Sequence, residues 1–119
     1  MFRSVAALQQ ALEHAWSPTS SSKYSVENPL RGQCSVTALV VQDVFGGEIL
    51  KTRTGAGMHF YNRIDGERHD LTLSQFDEPI QFDDVASTRD EAFADTSDAQ
   101  YRALKERLGL FCRDSVRPG

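Results

Sequence analysis

Apolar residues fall into two kinds of pattern along this chain, and the difference separates a one-sided helix from a buried one. Between Phe2 and Trp16 they recur at Val5, Leu8, Leu12 and Trp16, with Ala7, Ala11 and Ala15 beside them. That spacing predicts a helix with a single apolar stripe laid on a core. Ser17-Pro18 stops it, Thr19 to Ser22 forms a polar loop, and Lys23 to Arg31 reads as irregular. From Val36 to Phe45 only Thr37, Gln42 and Asp43 are polar. A helix apolar on most sides is a buried, central one. Pro29 and Gly32 break the chain before it, and Gly46-Gly47 supplies the left-handed backbone that ends it.

After Gly47 the period changes. Glu48 to Thr54 predicts a strand, Gly55 to Gly57 a turn, and Met58 to Ile64 a second strand rich in aromatic and β-preferring residues. Asp65-Gly66 is a strong two-residue hairpin signal, so Glu67 to Thr72 is the returning strand. Leu73 to Phe76 predicts a short helical turn, and Ile80 to Phe82 another short strand. Asp83 to Asp95 is acidic and weakly patterned, a loop with a turn of helix. Ser97 and Gln100 fit a capping box, opening a helix that carries Tyr101, Leu104 and Leu108 on one face and ends at Gly109. The tail from Arg113 to Gly119 is expected to fray. No repeat and no linker is evident, so residues 1–119 are expected to form a single domain, consistent with a length of 119 residues.

Composition narrows the classes. The chain is 39% hydrophobic and 25% charged, ordinary for a globular protein. A net charge of −4 and a pI near 5.3 argue against nucleic acid, which needs a basic face. No apolar run approaches a membrane span, and the N-terminus lacks a signal-peptide core. No membrane partner and a cytoplasmic location are therefore expected. In a reducing compartment Cys34 and Cys112 are expected as thiols. The absence of CxxC or zinc-finger spacing leads to an expectation of no structural metal and no cofactor.

The chemistry begins at Cys34. It stands at the start of the buried helix, where N–H groups and the helix dipole favour a thiolate. Its partners follow from hairpin parity. With Asp65-Gly66 as the loop, Ile64 faces Glu67, Tyr61 faces Asp70 and His59 faces Thr72. Side chains alternate between faces, which groups His59, Tyr61, Asp70 and Thr72 on one side and Phe60, Ile64 and Leu71 on the other. Asp70 becomes the diagonal neighbour of His59, roughly 7–8 Å away between backbones, while His69 points the opposite way. The chain thus holds a helix-start thiol, a strand imidazole and an acid on the next strand, each with a mechanical role. Cys34 attacks a carbonyl carbon, His59 relays the proton, and Asp70 orients His59. Donors for the oxyanion are the Cys34 backbone N–H with a side-chain amide from Asn28 or Gln33. Tyr61 and Arg63, flanking His59 on its face, are candidates for lining a substrate groove.

This order, Cys on a central helix followed by His and Asp on consecutive strands, resembles the papain-like and transglutaminase-like superfamily. More closely, Asn28 to Ala38, His59-Phe60-Tyr61-Asn62-Arg63 and Asp70 to Phe76 resemble the YunG-like bacterial proteins. The resemblance implies an α+β fold: a compact papain-like core, its central buried helix packed on a small antiparallel sheet, with flanking N- and C-terminal helices. It also implies thiol hydrolysis or acyl transfer. Relatives of papain carry an oxyanion amide six residues before the cysteine; Asn28 has that spacing, with Asn where Gln is usual and Pro29 after it. The chain lacks room for a second subdomain, which turns the expectation from folded proteins toward a small acyl or peptide substrate. Two functions follow. One is a thiol hydrolase or acyltransferase acting on an amide, thioester or isopeptide bond through a thioester acyl-enzyme. The other is a catalytically silent papain-like fold that binds a peptide or protein. Neither substrate nor oligomeric state is legible in the sequence.

Overall fold

A helix whose residues are apolar all round needs cover on every side, and the structure supplies it from both faces. The computed structural model describes residues 3–16, 33–55, 57–73 and 79–109. Helix α1 (Val5–Ala15) is capped by Ser4, whose hydroxyl accepts from Ala7 N–H at 3.1 Å. Helix α2 (Cys34–Phe45) buries every residue from Cys34 to Val41. Val36, Val40 and Val41 pack with Leu8, Leu12 and Trp16 of the α1 segment and with Leu104. Ala38 and Leu39 pack with Ile49, Phe60 and Ala92 on the other side. Trp16 is core, and its indole N–H donates to the buried Thr37 hydroxyl at 2.9 Å, which ties the end of α1 to α2.

The sheet is antiparallel throughout, with strands β1 (Glu48–Thr54), β2 (Gly57–Ile64), β3 (Glu67–His69) and β4 (Val85–Ala86) in the order β3-β2-β1-β4. The fold is α+β, helices packed on a small antiparallel sheet. Asp65 and Gly66 both take positive φ, 51° and 83°, as a two-residue turn between right-twisted strands requires. Ile64 consequently pairs with Glu67 and Asn62 with His69. The ladder then ends: the returning strand is three residues long, not the six expected from Glu67 to Thr72.

One further expectation is corrected beyond it. Ile80 to Phe82 is not a strand, because the Thr52 hydroxyl replaces a ladder there. It donates to the Gln81 carbonyl at 2.8 Å and accepts from Asp83 N–H at 3.0 Å. The fourth strand is instead Val85–Ala86, paired with Lys51 and Leu50. The acidic stretch after it contains helix α3 (Arg89–Phe93), capped by Thr88 accepting from Glu91 N–H at 3.1 Å; Thr88 before an acidic first turn was the signal for it. Helix α4 (Asp98–Arg107) opens with the expected Ser97/Gln100 capping box. Most of the short turn expected at Leu73 to Phe76, and the tail from Arg113, lie outside the described residues.

One polar brace fixes α2 on the sheet. Buried Asn62, on β2, donates from Nδ2 to the Ala38 carbonyl at 3.0 Å. Asn62→Ala is expected to cost about 1–2 kcal/mol in urea denaturation, the worth of a buried bond and some packing. A loss below about 0.5 kcal/mol would show that apolar contact alone holds the helix in place.

Candidate active site

Chain geometry explains why a helix-start cysteine and a strand histidine meet. Only Gly46 and Gly47 separate α2 from β1, and β2 runs back antiparallel alongside β1. A helix covers roughly 17 Å from Phe45 back to Cys34, and a strand covers about the same from Ile64 back to His59. The start of α2 and the start of β2 thus fall at the same level. On the far side of β2, β3 ends at His69, so the ladder between them stops at Asn62. Asp70 turns in beside the stretch of β2 that carries His59.

The three side chains come together there. His59 Nε2 lies 2.6 Å from Asp70 Oδ2, with side-chain exposures of only 1% and 4%. Cys34, 7% exposed, lies near enough to act on the same ring. Nε2 is engaged by Asp70, and Nδ1 is buried. Burial, the largest single influence, works against the imidazolium. The bond that His59 donates to Asp70, then the nearby Cys34, outweigh it and raise the His59 pKa to about 9. At neutral pH the ring is therefore a buried imidazolium set between Asp70 and Cys34. His69 sits away from this group, 3.7 Å from Glu67, as hairpin parity requires.

The neighbours of the imidazole form a second layer. Tyr61 stacks beside His59 with ring centroids 5.8 Å apart. It does not stand open to a groove: it is 1% exposed. Its hydroxyl donates to Asp84 Oδ1 and accepts from Asp84 N–H, both at 2.8 Å. Burial first, and then the bond to the Asp84 carboxylate, push the Tyr61 phenol up to about 12. Arg68 grips both Asp84 oxygens, at 2.9 and 2.7 Å, and lies 4.3 Å over the Phe82 ring, which in turn meets Tyr61 edge-on. That grip, ahead of the Tyr61 bond, holds the Asp84 carboxyl at about 2. Residues 81–84 thus form a strap across the His59 face of the sheet, pinned by Thr52, Tyr61 and Arg68. Arg63 is half-exposed and pairs with Glu48 at 3.3 Å.

Of the amide candidates, Gln33 is fully buried immediately before Cys34 and makes no side-chain cap on α2. Asn28 and Cys112 lie outside the described residues. The residue that sequence reasoning passed over is Thr72. It was placed on a strand opposite His59, whereas its N–H and hydroxyl both turn to Asp70 Oδ1, at 3.2 and 3.4 Å. The Asp-x-Thr spacing of a side-chain turn was the available signal. Among the described residues no group of three or more His, Cys, Asp and Glu side chains is placed to hold a metal ion. No helix among them is long and apolar enough to cross a membrane.

The comparisons with known proteins agree with one another. No solved structure gives a significant match to the chain. A Bacillus subtilis (strain 168) protein described as "Uncharacterized protein YunG" is 52% identical over 95 residues, covering 80% of this chain and 83% of that protein. The YunG protein family matches residues 4–111, from the cap of α1 to beyond the end of α4 and including Cys34, His59 and Asp70. With that match and that identity, the chain belongs to the YunG protein family.

Proposed function

We propose that this protein is a small thiol hydrolase or acyltransferase with a papain-like arrangement of Cys34, His59 and Asp70, acting on an amide, thioester or isopeptide bond. The observation that carries the reading is the position of His59, held at Nε2 by Asp70 at 2.6 Å and acted on by the Cys34 thiol. Cys34 enters as the thiolate of an ion pair whose proton His59 already holds; its Sγ attacks the carbonyl carbon, and the carbon–oxygen π pair moves to the oxygen. The negative oxygen sits at the start of α2, where the helix dipole favours it. As the tetrahedral species collapses, the bond to the leaving group breaks, and that group takes the proton held on His59 Nδ1. The resulting thioester is resolved by water or by an acceptor amine, whose proton returns to the now neutral imidazole. Asp70 keeps the ring proton on Nε2 throughout and so presents Nδ1 to the thiol.

The burial of all three residues favours a second reading, a module that binds a peptide or protein with the same fold and performs no turnover. Thiol reactivity separates the two. With a small alkylating reagent at pH 6.5, Cys34 is expected to react up to about 100-fold faster than Cys112, because a free thiol near 8.5 is only about 1% ionised there. His59→Ala should remove that advantage without changing Cys112. Mass spectrometry of the two cysteine peptides reads the result. Cys34 reacting no faster than Cys112, with His59→Ala silent, would give the protein to the binding reading.

A further inference from the structure

The acid of the site is held by a turn of its own. β3 stops at His69, and the chain reverses with Leu73 N–H donating to the Asp70 carbonyl at 3.4 Å. Inside that turn the Thr72 N–H and hydroxyl both donate to Asp70 Oδ1. Thr72 is 1% exposed, so its hydroxyl has little water to turn to. The two carboxylate oxygens therefore have separate partners: Oδ1 faces Thr72, and Oδ2 faces His59 Nε2 at 2.6 Å. A carboxylate gripped at one oxygen by two donors from a single residue loses its freedom to rotate, and the other oxygen stays in line with the imidazole.

We propose that Thr72 is the positioning residue of this site: by fixing Oδ1 of Asp70 it keeps Oδ2 on His59 Nε2, and so holds the imidazole with Nδ1 toward Cys34. The inference rests on reading Cys34, His59 and Asp70 as a working triad. It makes a prediction whose sign opposes that of a purely electronic role. If Thr72 only withdrew charge from Asp70, its loss would leave a stronger acceptor and raise the His59 midpoint. A positioning role gives the reverse, because an Oδ2 that drifts from Nε2 stabilises the imidazolium less.

The test follows the ring nitrogens of His59 by NMR in the full chain labelled with 15N-histidine, across pH, beside the rate of Cys34 alkylation. Thr72→Val keeps the shape and the backbone N–H and removes the hydroxyl; Thr72→Ala carries the same prediction should the valine not fit. The His59 midpoint is expected to fall by about half a unit to one unit. Above that midpoint the neutral ring should become a mixture of tautomers in place of the Nε2–H form, and Cys34 alkylation at pH 6.5 should slow. Thr72→Ser should restore all three. Asp70→Asn should lower the midpoint further than Thr72→Val does. A midpoint that stays or rises in Thr72→Val, with the Nε2–H form intact while Asp70→Asn behaves as expected, overturns the role of Thr72 alone. If Asp70→Asn also leaves His59 and the Cys34 rate unchanged, the triad reading fails with it.

Discussion

Gly47→Ala is expected to be among the most damaging single substitutions in the chain, although Gly47 touches none of the reactive groups. Its φ is +81°, and a Cβ built there would lie 2.2 Å from the Arg63 carbonyl oxygen, far inside any real contact. Neither side can yield cheaply, since both are backbone: the turn that ends α2 on one side and the end of β2 on the other. The left-handed conformation alone costs a non-glycine residue about 1–2 kcal/mol, and relieving the clash adds about 1–3 kcal/mol more. For a domain of this size the sum corresponds to a melting temperature lower by roughly 10–20 °C. Gly46→Ala is the internal control. Its Cβ would meet nothing within 4 Å, so no clash applies, but its φ of +76° with ψ −150° is a conformation essentially restricted to glycine and carries a backbone cost of its own. Thermal unfolding of the two variants separates a purely conformational loss at Gly46 from one that includes the clash at Gly47; a Gly47→Ala loss no larger than about 2 kcal/mol would show that the backbones do not approach so closely.

That close approach is also what aligns the site. Gly47 lets β1 start against the end of β2, and the paired lengths of α2 and β2 then bring Cys34 level with His59. Residual folded Gly47→Ala protein should accordingly show slower Cys34 alkylation than Gly46→Ala, because a shift at the turn moves the helix along the strand.

The parts of this arrangement that were legible in the sequence are those set by local periodicity. From Val36 to Val41 only Thr37 is polar, so α2 had to be central, and Cys34 stood at its start whatever packed on it. Asp65-Gly66 permits one tight turn, and that turn set the register that separates His59 from His69. What the sequence hid depends on side chains reaching backbone far away. β3 is expected to continue past His69 because Leu71 and Thr72 alternate well, but the Asp70 carboxylate accepts from the Thr72 N–H and the Asp70 carbonyl from the Leu73 N–H, which closes a turn where the ladder would have run on. Ile80 to Phe82 has the composition of a strand, yet its polar groups go to Thr52, and Asp84 takes a φ of +54° where Tyr61 and Arg68 hold it. No pattern within residues 80–84 names Thr52, Tyr61 or Arg68, which come from three different strands. The burial of Tyr61, a groove candidate by parity, is hidden for the same reason: its partner, Asp84, is distant in sequence and invisible to parity.

Asp70→Asn is expected to reshape the dependence of stability on pH as well as to lower stability. In the folded chain the His59 pKa stands at about 9, against 6.5 for an unperturbed imidazole. Between those values the folded protein holds a proton that the unfolded chain has released. The stabilisation from His59 is thus fully present below pH 6.5 and is lost as pH rises toward 9. Asparagine keeps the size of the side chain and removes its charge, and the burial that opposes the imidazolium is then resisted by Cys34 alone. The His59 midpoint should fall toward or below 6.5, and the decline in melting temperature between pH 6.5 and 9 should largely disappear. At pH 6 the variant should be less stable than the parent by about 3 kcal/mol, the scale for removing one partner of a buried charged pair. Near pH 9.5 the parent has already lost the charged pair, and the two curves should converge. Urea denaturation at several pH values measures both effects. Parallel curves for parent and variant would mean that His59 is neutral in the folded protein, and the imidazolium could not then be the proton donor in the proposed chemistry. Convergence at high pH, together with a Cys34 that reacts slowly in Asp70→Asn, would tie the proton on His59, the stability of the fold and the reactivity of the thiol to the same 2.6 Å contact.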